Sequence, residues 1–321
     1  MERRKMKRII IISICLLFGT LMSSGLTLAA NYPSKPITVI VPYSVGGSMD
    51  FQARGISPYL TKELKTNIII QNVIGASGVI GFNKAFNAIP DGYTLVANNL
   101  PAIIITEISQ PNSVYKTKEF IPLCAFARDD VVLVTHPDLF QNFDEFVKAA
   151  KTQPVRVGVT GKGTTVHLAG LILENALGVK FNMIPFGGGS ESVVSLAGKH
   201  IDAVLTIGSS AYTMIRGGKI KPLLLFADVR SPKYPQVPTP KELGYDIQPL
   251  ANHTGILAPP KLPLNERKIL ETAFERAVKN LSYKEWMEKG VAEYAPLIGK
   301  DYRNDIERVA KIVEGFQKFI K

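Results

Sequence analysis

Cysteine is almost missing from this chain: Cys15 and Cys124 are the two in 321 residues, beside four histidines and one tryptophan. So few thiols exclude a disulfide framework and a Cys-rich metal centre. His136, His200 and His253 lack the mutual spacing of metal ligands, so no zinc site is expected and no cofactor is implied. Cys124 reads as a small apolar core residue. Acid is also scarce, with 27 Asp and Glu against 38 Lys and Arg, a net charge of +11. The basic residues are scattered rather than gathered into runs interleaved with aromatics, which argues against nucleic acid as a partner. A small anionic ligand or an anionic surface suits such a balance. Beyond the first thirty residues no stretch offers the roughly 20 apolar residues of a membrane span. Internal repeats and low-complexity segments are absent too.

Those first thirty residues have a different character. "MERRKMKR" is basic, Ile9 to Met22 is apolar, and "SSGLTLAA" supplies small residues up to Ala30. This is the three-part pattern of a secretory signal peptide over residues 1–30, cut after Ala29 or Ala30. Ser23, Ser24, Gly25 and Thr27 interrupt the apolar run, against an anchor. Ile14 is bulky where lipid attachment at Cys15 would want a small residue. Cleavage after Ala30 leaves 291 residues with 33 basic and 26 acidic side chains. The mature chain is therefore expected outside the cytoplasmic membrane, with length for two domains.

Short β-branched runs alternate with helical patterns along that mature chain. Strands are expected at Ile37–Tyr43, Asn67–Val73, Tyr93–Asn99, Val131–His136, Arg156–Thr160, Lys180–Phe186, Asp202–Gly208 and Pro222–Ala227. Helices are expected at Gly81–Asn87, Thr165–Leu177 and Ser190–Leu196, then at Asn265–Asn280, Ser282–Lys289 and Asp301–Lys321. Such alternation predicts an α/β fold with mostly parallel sheets.

Three times an expected strand runs through a glycine-rich turn into a helix: "VPYSVGGSMD" (Val41–Asp50), "GVTGKGTT" (Gly158–Thr165) and "IPFGGGSES" (Ile184–Ser192). The second resembles a phosphate-binding P-loop but fails as one, because Gly163 stands where the hydroxyl after Gly161-Lys162 would have to reach magnesium. Glycine lets the backbone approach a ligand closely, and a helix N-terminus presents unpaired N–H groups with about half a positive charge. Ser48, Thr164 and Ser190 are candidate caps or donors. In open α/β sheets ligands bind beyond the carboxyl ends of strands, where all three turns would lie. The chemistry predicted is anion binding by neutral donors. Two residues keep two readings, since His167 tunes the anion site or caps and packs and Lys162 touches ligand or water, while Asp50 reads as a helix cap. An enzyme reading would make Ser48 or Ser77 a nucleophile, His167 its base and Asp50 the orienting acid. No Gly-x-Ser-x-Gly elbow frames either serine, so a catalyst is not expected.

Seven motifs in order carry a family resemblance: "YPSKPITVIVPYSVGGSMD", "IIIQNVIGASGVIG", "IPDGYTL", "GVTGKGTTVHLAG", "IPFGGGSESVVSLAGKHIDAVL", "SPKYPQVPTPKELGY" and "GILAPPKLP". From Tyr32 onward the chain resembles the substrate-binding receptors of tripartite tricarboxylate transporters, the Bug receptors. The resemblance implies a two-domain type II periplasmic-binding-protein fold closing on a small organic carboxylate, with transporter subunits in the membrane as partner and the receptor a monomer. A receptor that feeds a signalling sensor would use the same closing motion. It implies that Tyr43, Gly46, Gly47, Ser48 and Asp50 clamp the carboxylate against Gly161, Gly163, Thr164, Thr165 and His167. Ala76, Ser77, Asn98, Gly187, Gly188, Gly189 and Thr206 would face the cleft. One domain would comprise 31–130 with 255–321 and the other 131–254, hinged near Asp129–Val132 and His253–Ile256. The chain departs from the family pattern at Val73 and Ile74, at Phe186 running directly into Gly187, at Asn98 and Asn99, and at His253 and Thr254. All lie toward the expected distal end of the ligand.

Overall fold

The computed structural model describes residues 32–43, 45, 46, 48–161, 163–289 and 292–320. The expected signal peptide, Gly47 and Lys162 lie outside the described residues. The architecture that follows is that of the unit beginning at Lys35.

Strands β1 (Ile37–Val41), β2 (Ile68–Asn72) and β3 (Thr94–Leu100) alternate with helices α1 (Ser48–Leu64), α2 (Val79–Phe86) and α3 (Ala102–Ser109). A long β4 (Ile121–Thr135) follows, then α4 (Phe143–Thr152), β5 (Arg156–Val159), α5 (Thr165–Leu177) and β6 (Asn182–Pro185). Next come α6 (Gly189–Ala197), β7 (Ala203–Ile207), α7 (Gly208–Arg216), β8 (Lys221–Leu225) and β9 (Ala251–Ala258). The chain ends with α8 (Leu264–Lys279), α9 (Leu281–Lys289), β10 (Glu293–Ile298), α10 (Lys300–Gly315) and α11 (Gln317–Ile320). Local chemistry accounts for the helix ends. Thr164 caps α5 by accepting the His167 N–H on its side-chain oxygen at 3.2 Å, and Gly178 ends the helix in the left-handed region at φ +64°. Asn142 caps α4 through the Glu145 N–H at 2.9 Å.

The strands form one continuous sheet in the order β2-β1-β3-β9-β4-β7-β5-β6, with β8 and β10 also paired to β4. Strand β4 belongs to both halves. Residues Ile121 to Asp130 pair with β9, ending at Asp130 against Ala251, whereas Val131 to Thr135 pair with β7 and β8. The expectation of mostly parallel pairing is corrected: β1 with β2 and β3, and β5 with β6 and β7, are parallel, but every pairing of β4 and β9 is antiparallel. Two strands that each carry the chain between halves run in opposite directions, and they occupy the centre of the sheet.

Sequence reading misses β9, β10 and the first two thirds of β4. In β4 the charged run Arg128-Asp129-Asp130 hides a strand whose side chains are nearly all covered. The charges are accommodated locally: Arg128 Nε donates to Asp130 at 2.7 Å, and Asp129 accepts the Ser209 N–H at 3.0 Å. Burial pushes the Asp129 carboxyl up to about 7, although the Ser209 hydrogen bonds pull the other way.

One core cluster runs from Ile40, Phe82 and Ile103 through Phe146 and Leu173 to Leu205, and a smaller one gathers Val132, Val193, Leu196 and Leu225. Helix α10 covers the first half and sends Tyr302 onto β3, where its hydroxyl donates to Asn98 Oδ1 at 2.9 Å with both residues fully buried. Asn98 Nδ2 has no partner of its own. Replacing Tyr302 with Phe therefore strips the last hydrogen bond from a buried amide and should cost about 2 kcal/mol. Denaturant titration checks this; an unchanged midpoint would contradict it.

Candidate functional site

A cavity of about 220 Å³ opens where the two halves of the sheet face each other, lined by Tyr43, Asn99, Ala102, Thr160, Thr164, Thr165, Val166, Gly189, Ile207, Ser210 and Asn252. Tyr43, Thr160, Gly189 and Ser210 follow the carboxyl ends of β1, β5, β6 and β7, and Asn99 lies near that end of β3. This is the position that an open α/β sheet offers to a ligand. Every described side chain lining it is uncharged.

Helices α3, α5 and α7 all begin at this cavity, and none has an acid in its first turn. The first-turn amides of a helix have no intrahelical acceptor, so the Thr165 and Val166 N–H groups of α5 can donate to a guest. Each N-terminus adds about half a positive charge. Side chains supply further donors. Asn252 Oδ1 accepts from Thr165 Oγ1 at 2.6 Å and Asn99 Oδ1 accepts from Thr254 Oγ1 at 3.0 Å, so each amide has its NH2 group left to offer. Burial pushes the Tyr43 phenol up to about 12, which keeps it a neutral O–H donor at ordinary pH. A neutral, donor-rich chamber of this kind suits an anion.

Of the residues expected from the sequence, Tyr43, Thr164, Thr165 and Gly189 line this cavity. A Cβ at Gly189 would stand 2.6 Å from Ser210 Oγ and 2.8 Å from Thr206 Oγ1, so glycine there leaves room beside two hydroxyls. Thr206 is itself fully buried beneath, and its hydroxyl lacks a hydrogen-bond partner. Gly161 accepts from Thr164 Oγ1 at 2.9 Å, holding the turn before α5. Gly163 has φ +78° and sits where a Cβ would be 3.6 Å from Ile105 of α3, so this turn reaches across to the other half. The Gly163 N–H lies 3.5 Å from His167 Nδ1.

Other expected residues are occupied elsewhere. The Gly46 N–H donates to Asp50 Oδ2 at 2.9 Å, and the Gly187 N–H donates to Glu191 at 2.8 Å. The first and third glycine turns thus spend an amide on a carboxylate from their own helices. Asp50 is buried and also receives Arg54 Nε at 3.0 Å and Asn72 Nδ2 at 3.0 Å; Asn72 in turn donates to the Tyr43 carbonyl at 2.9 Å. Arg54 and these other donors hold the Asp50 carboxyl down at about 2. Both oxygens are committed to fixing the first turn. Gly188 caps α6, accepting the Ser192 N–H at 3.2 Å. Ala76 and Ser77 form a turn with φ of +46° and +56° ahead of α2, outside the lining. Ser48 accepts from Gln52 Nε2 and lines a separate cavity. Asn98 points at Tyr302 on the opposite face of β3, and its neighbour Asn99 faces the cavity instead.

Sequence reading does not find Asn252, Thr160, Val166 or Ser210, and it notes Asn99 only as a departure from the family pattern. Val166 contributes only backbone, and Asn252 lies on β9, a strand the residue pattern does not announce. The paired spacing Gly46 to Asp50 and Gly187 to Glu191 is a readable sign that those amides are spoken for.

The profile of the family described as tripartite tricarboxylate transporter family receptor matches residues 52–311. Protein BugT of Bordetella pertussis is 32% identical over 260 residues, covering 78% of this chain and 80% of BugT. A TctC solute-binding protein from Polaromonas superposes with TM-score 0.79 at 31% identity, covering 88% of this chain and 98% of that one. MatC from Rhodopseudomonas palustris, solved with bound malate, gives 0.72 at 25% identity over 90% of this chain and all (100%) of MatC. The α/β fold is that of these two-domain solute-binding proteins, as the sequence motifs imply.

Replacing Asp50 with Asn should destabilise the protein by about 2 kcal/mol near neutral pH, because hydrogen bonds to a charged acceptor are lost. With its folded pKa depressed to about 2, Asp50 contributes fully above the unfolded value of roughly 4 and loses that contribution as pH falls through 2. Melting curves of the two proteins should converge toward pH 2. A constant gap down to that pH would contradict the assignment.

Proposed function

The chain belongs to the tripartite tricarboxylate transporter receptor family, and on that footing we propose that it captures a small organic carboxylate outside the cytoplasmic membrane. It then delivers that anion to membrane subunits of a tripartite tricarboxylate-type transporter. The basic, apolar and small-residue segments of its first thirty residues support export, and no described helix is long and apolar enough to cross a membrane. The receptor works as a monomer and performs no catalysis.

The observation that carries this reading is the uncharged chamber at the start of α5, reached from both halves of the sheet. The carboxylate takes the Thr165 and Val166 amides, with the Tyr43 hydroxyl and the Asn99 and Asn252 amino groups as further donors. Closing the halves excludes water and strengthens each of these bonds. The expected lobes, 31–130 with 255–321 and 131–254, are supported by the change of strand partners between Asp130 and Val131 on β4 and by Leu250 pairing with Phe226 just before β9. The Thr165 hydroxyl donates to Asn252 Oδ1, so two residues that offer N–H groups to the ligand also tie α5 to β9.

Thermal-shift measurements with a panel of mono- and dicarboxylates test the proposal. A true ligand at 100 times its dissociation constant adds about 2.7 kcal/mol of stability. No shift from any organic anion, together with turnover of an ester or amide, would replace this reading with an enzyme. Gly163→Val puts a β-branched residue at φ +78°, a conformation costing about 1–3 kcal/mol. Carboxylate affinity should fall at least about tenfold as the turn refolds away from α3, while far-UV circular dichroism stays native. Unchanged affinity would remove that turn from the site.

A further inference from the structure

A second cavity, also of about 220 Å³, lies at the N-terminal end of α1, between that helix, α9 and the first turn of α7. Its walls are largely apolar: Phe51, Trp286 and Met287 stand around it. Phe51 and Trp286 stack with ring centroids 5.2 Å apart at 29°, and Phe51 is still 58% exposed. The polar groups at its edge are Ser48, Gln52 and Ser209. Ser209 is already committed to Asp129 through its N–H. Gln52 is different. It is 93% covered (7% exposed), one end of its amide is bonded to Ser48 Oγ at 3.0 Å, and the other end has no partner.

We propose that this cavity is a second ligand site, for one uncharged aromatic ring carrying a hydrogen-bond donor, such as a carboxamide or a hydroxyl. Size argues for a single ring. An apolar cavity of roughly 150 Å³ holds benzene, so this one has room for a ring with one short substituent. Trp286 stacks with both Phe51 and Tyr283, and the exposed Phe51 ring favours an aromatic guest over an aliphatic one. No described lining side chain is charged, which favours a neutral guest. The unpartnered Gln52 Oε1 sets the substituent, because a buried acceptor without a partner costs free energy that a bound donor recovers. This site goes beyond the carboxylate chamber and does not depend on it, since the two cavities share no lining residue.

Trp286 is the one tryptophan of the chain, so its emission reports on this cavity directly. Benzamide should change Trp286 fluorescence saturably in the full-length mature protein, and toluene, which lacks the polar group, should bind about tenfold more weakly. Gln52→Leu should weaken benzamide about tenfold and bring its affinity down to that of toluene. The toluene comparison needs no variant and stands if Gln52→Leu fails to fold. A carboxylate identified by thermal shift should leave benzamide binding in place. Linear, unsaturable quenching, equal affinity for toluene and benzamide, or displacement of benzamide by the carboxylate would each overturn the proposal. Absence of any carboxylate ligand would bear on the transport reading alone.

Discussion

The first turn of α5 is the point on which the rest depends. Its Thr165 and Val166 amides are donors without intrahelical acceptors, placed at a chamber whose described walls hold no charge. Burying an anion costs several kcal/mol unless its lone pairs are met. Here they can be met by peptide N–H groups, asparagine amino groups, a phenol and a helix end. Neutral donors of this kind bring no charge of their own to desolvate, and the chamber need not hold a fixed cation when it is empty.

The glycine turns then divide into two kinds. In the first and third, Asp50 and Glu191 reach back four residues to accept an amide, so each of those turns has one N–H already taken. In the second no acid follows in the first turn, so its amides stay open to an anionic guest. Asp50 therefore acts on the site through geometry: it secures the turn that carries Tyr43, with Asn72 and Arg54 locking it from the side. The crossing strands β4 and β9 supply the other requirement. Because they pass from one half of the sheet to the other at adjacent positions, residues distant in sequence, such as Thr165 and Asn252, meet at the chamber.

Much of this is legible in the residues themselves. The expected helix Thr165–Leu177 has its true ends, because Thr164 is a strong cap and Gly178 a strong stop. The two-domain α/β fold follows from seven ordered motifs. What stays hidden is set by long-range pairing. Arg128, Asp129 and Asp130 look like a solvated loop, and only the strands on either side show them to be covered. The motifs point to Asn98, whereas Asn99 faces the chamber, a one-residue difference that in a strand moves a side chain to the opposite face. Val166 cannot be found by residue type, because its contribution is a peptide N–H that every residue but proline possesses.

The central claim is that peptide amides from α5, aided by donors across the sheet, hold the anion. Backbone ¹H–¹⁵N NMR during titration with a bound carboxylate tests it most directly. The account predicts downfield proton shifts at Thr165 and Val166, accompanied by changes in the Asn99 and Asn252 side-chain amides, and little change at Gly46 and Gly187, whose N–H groups are already bonded. Saturable shifts that leave Thr165 and Val166 unmoved would contradict it.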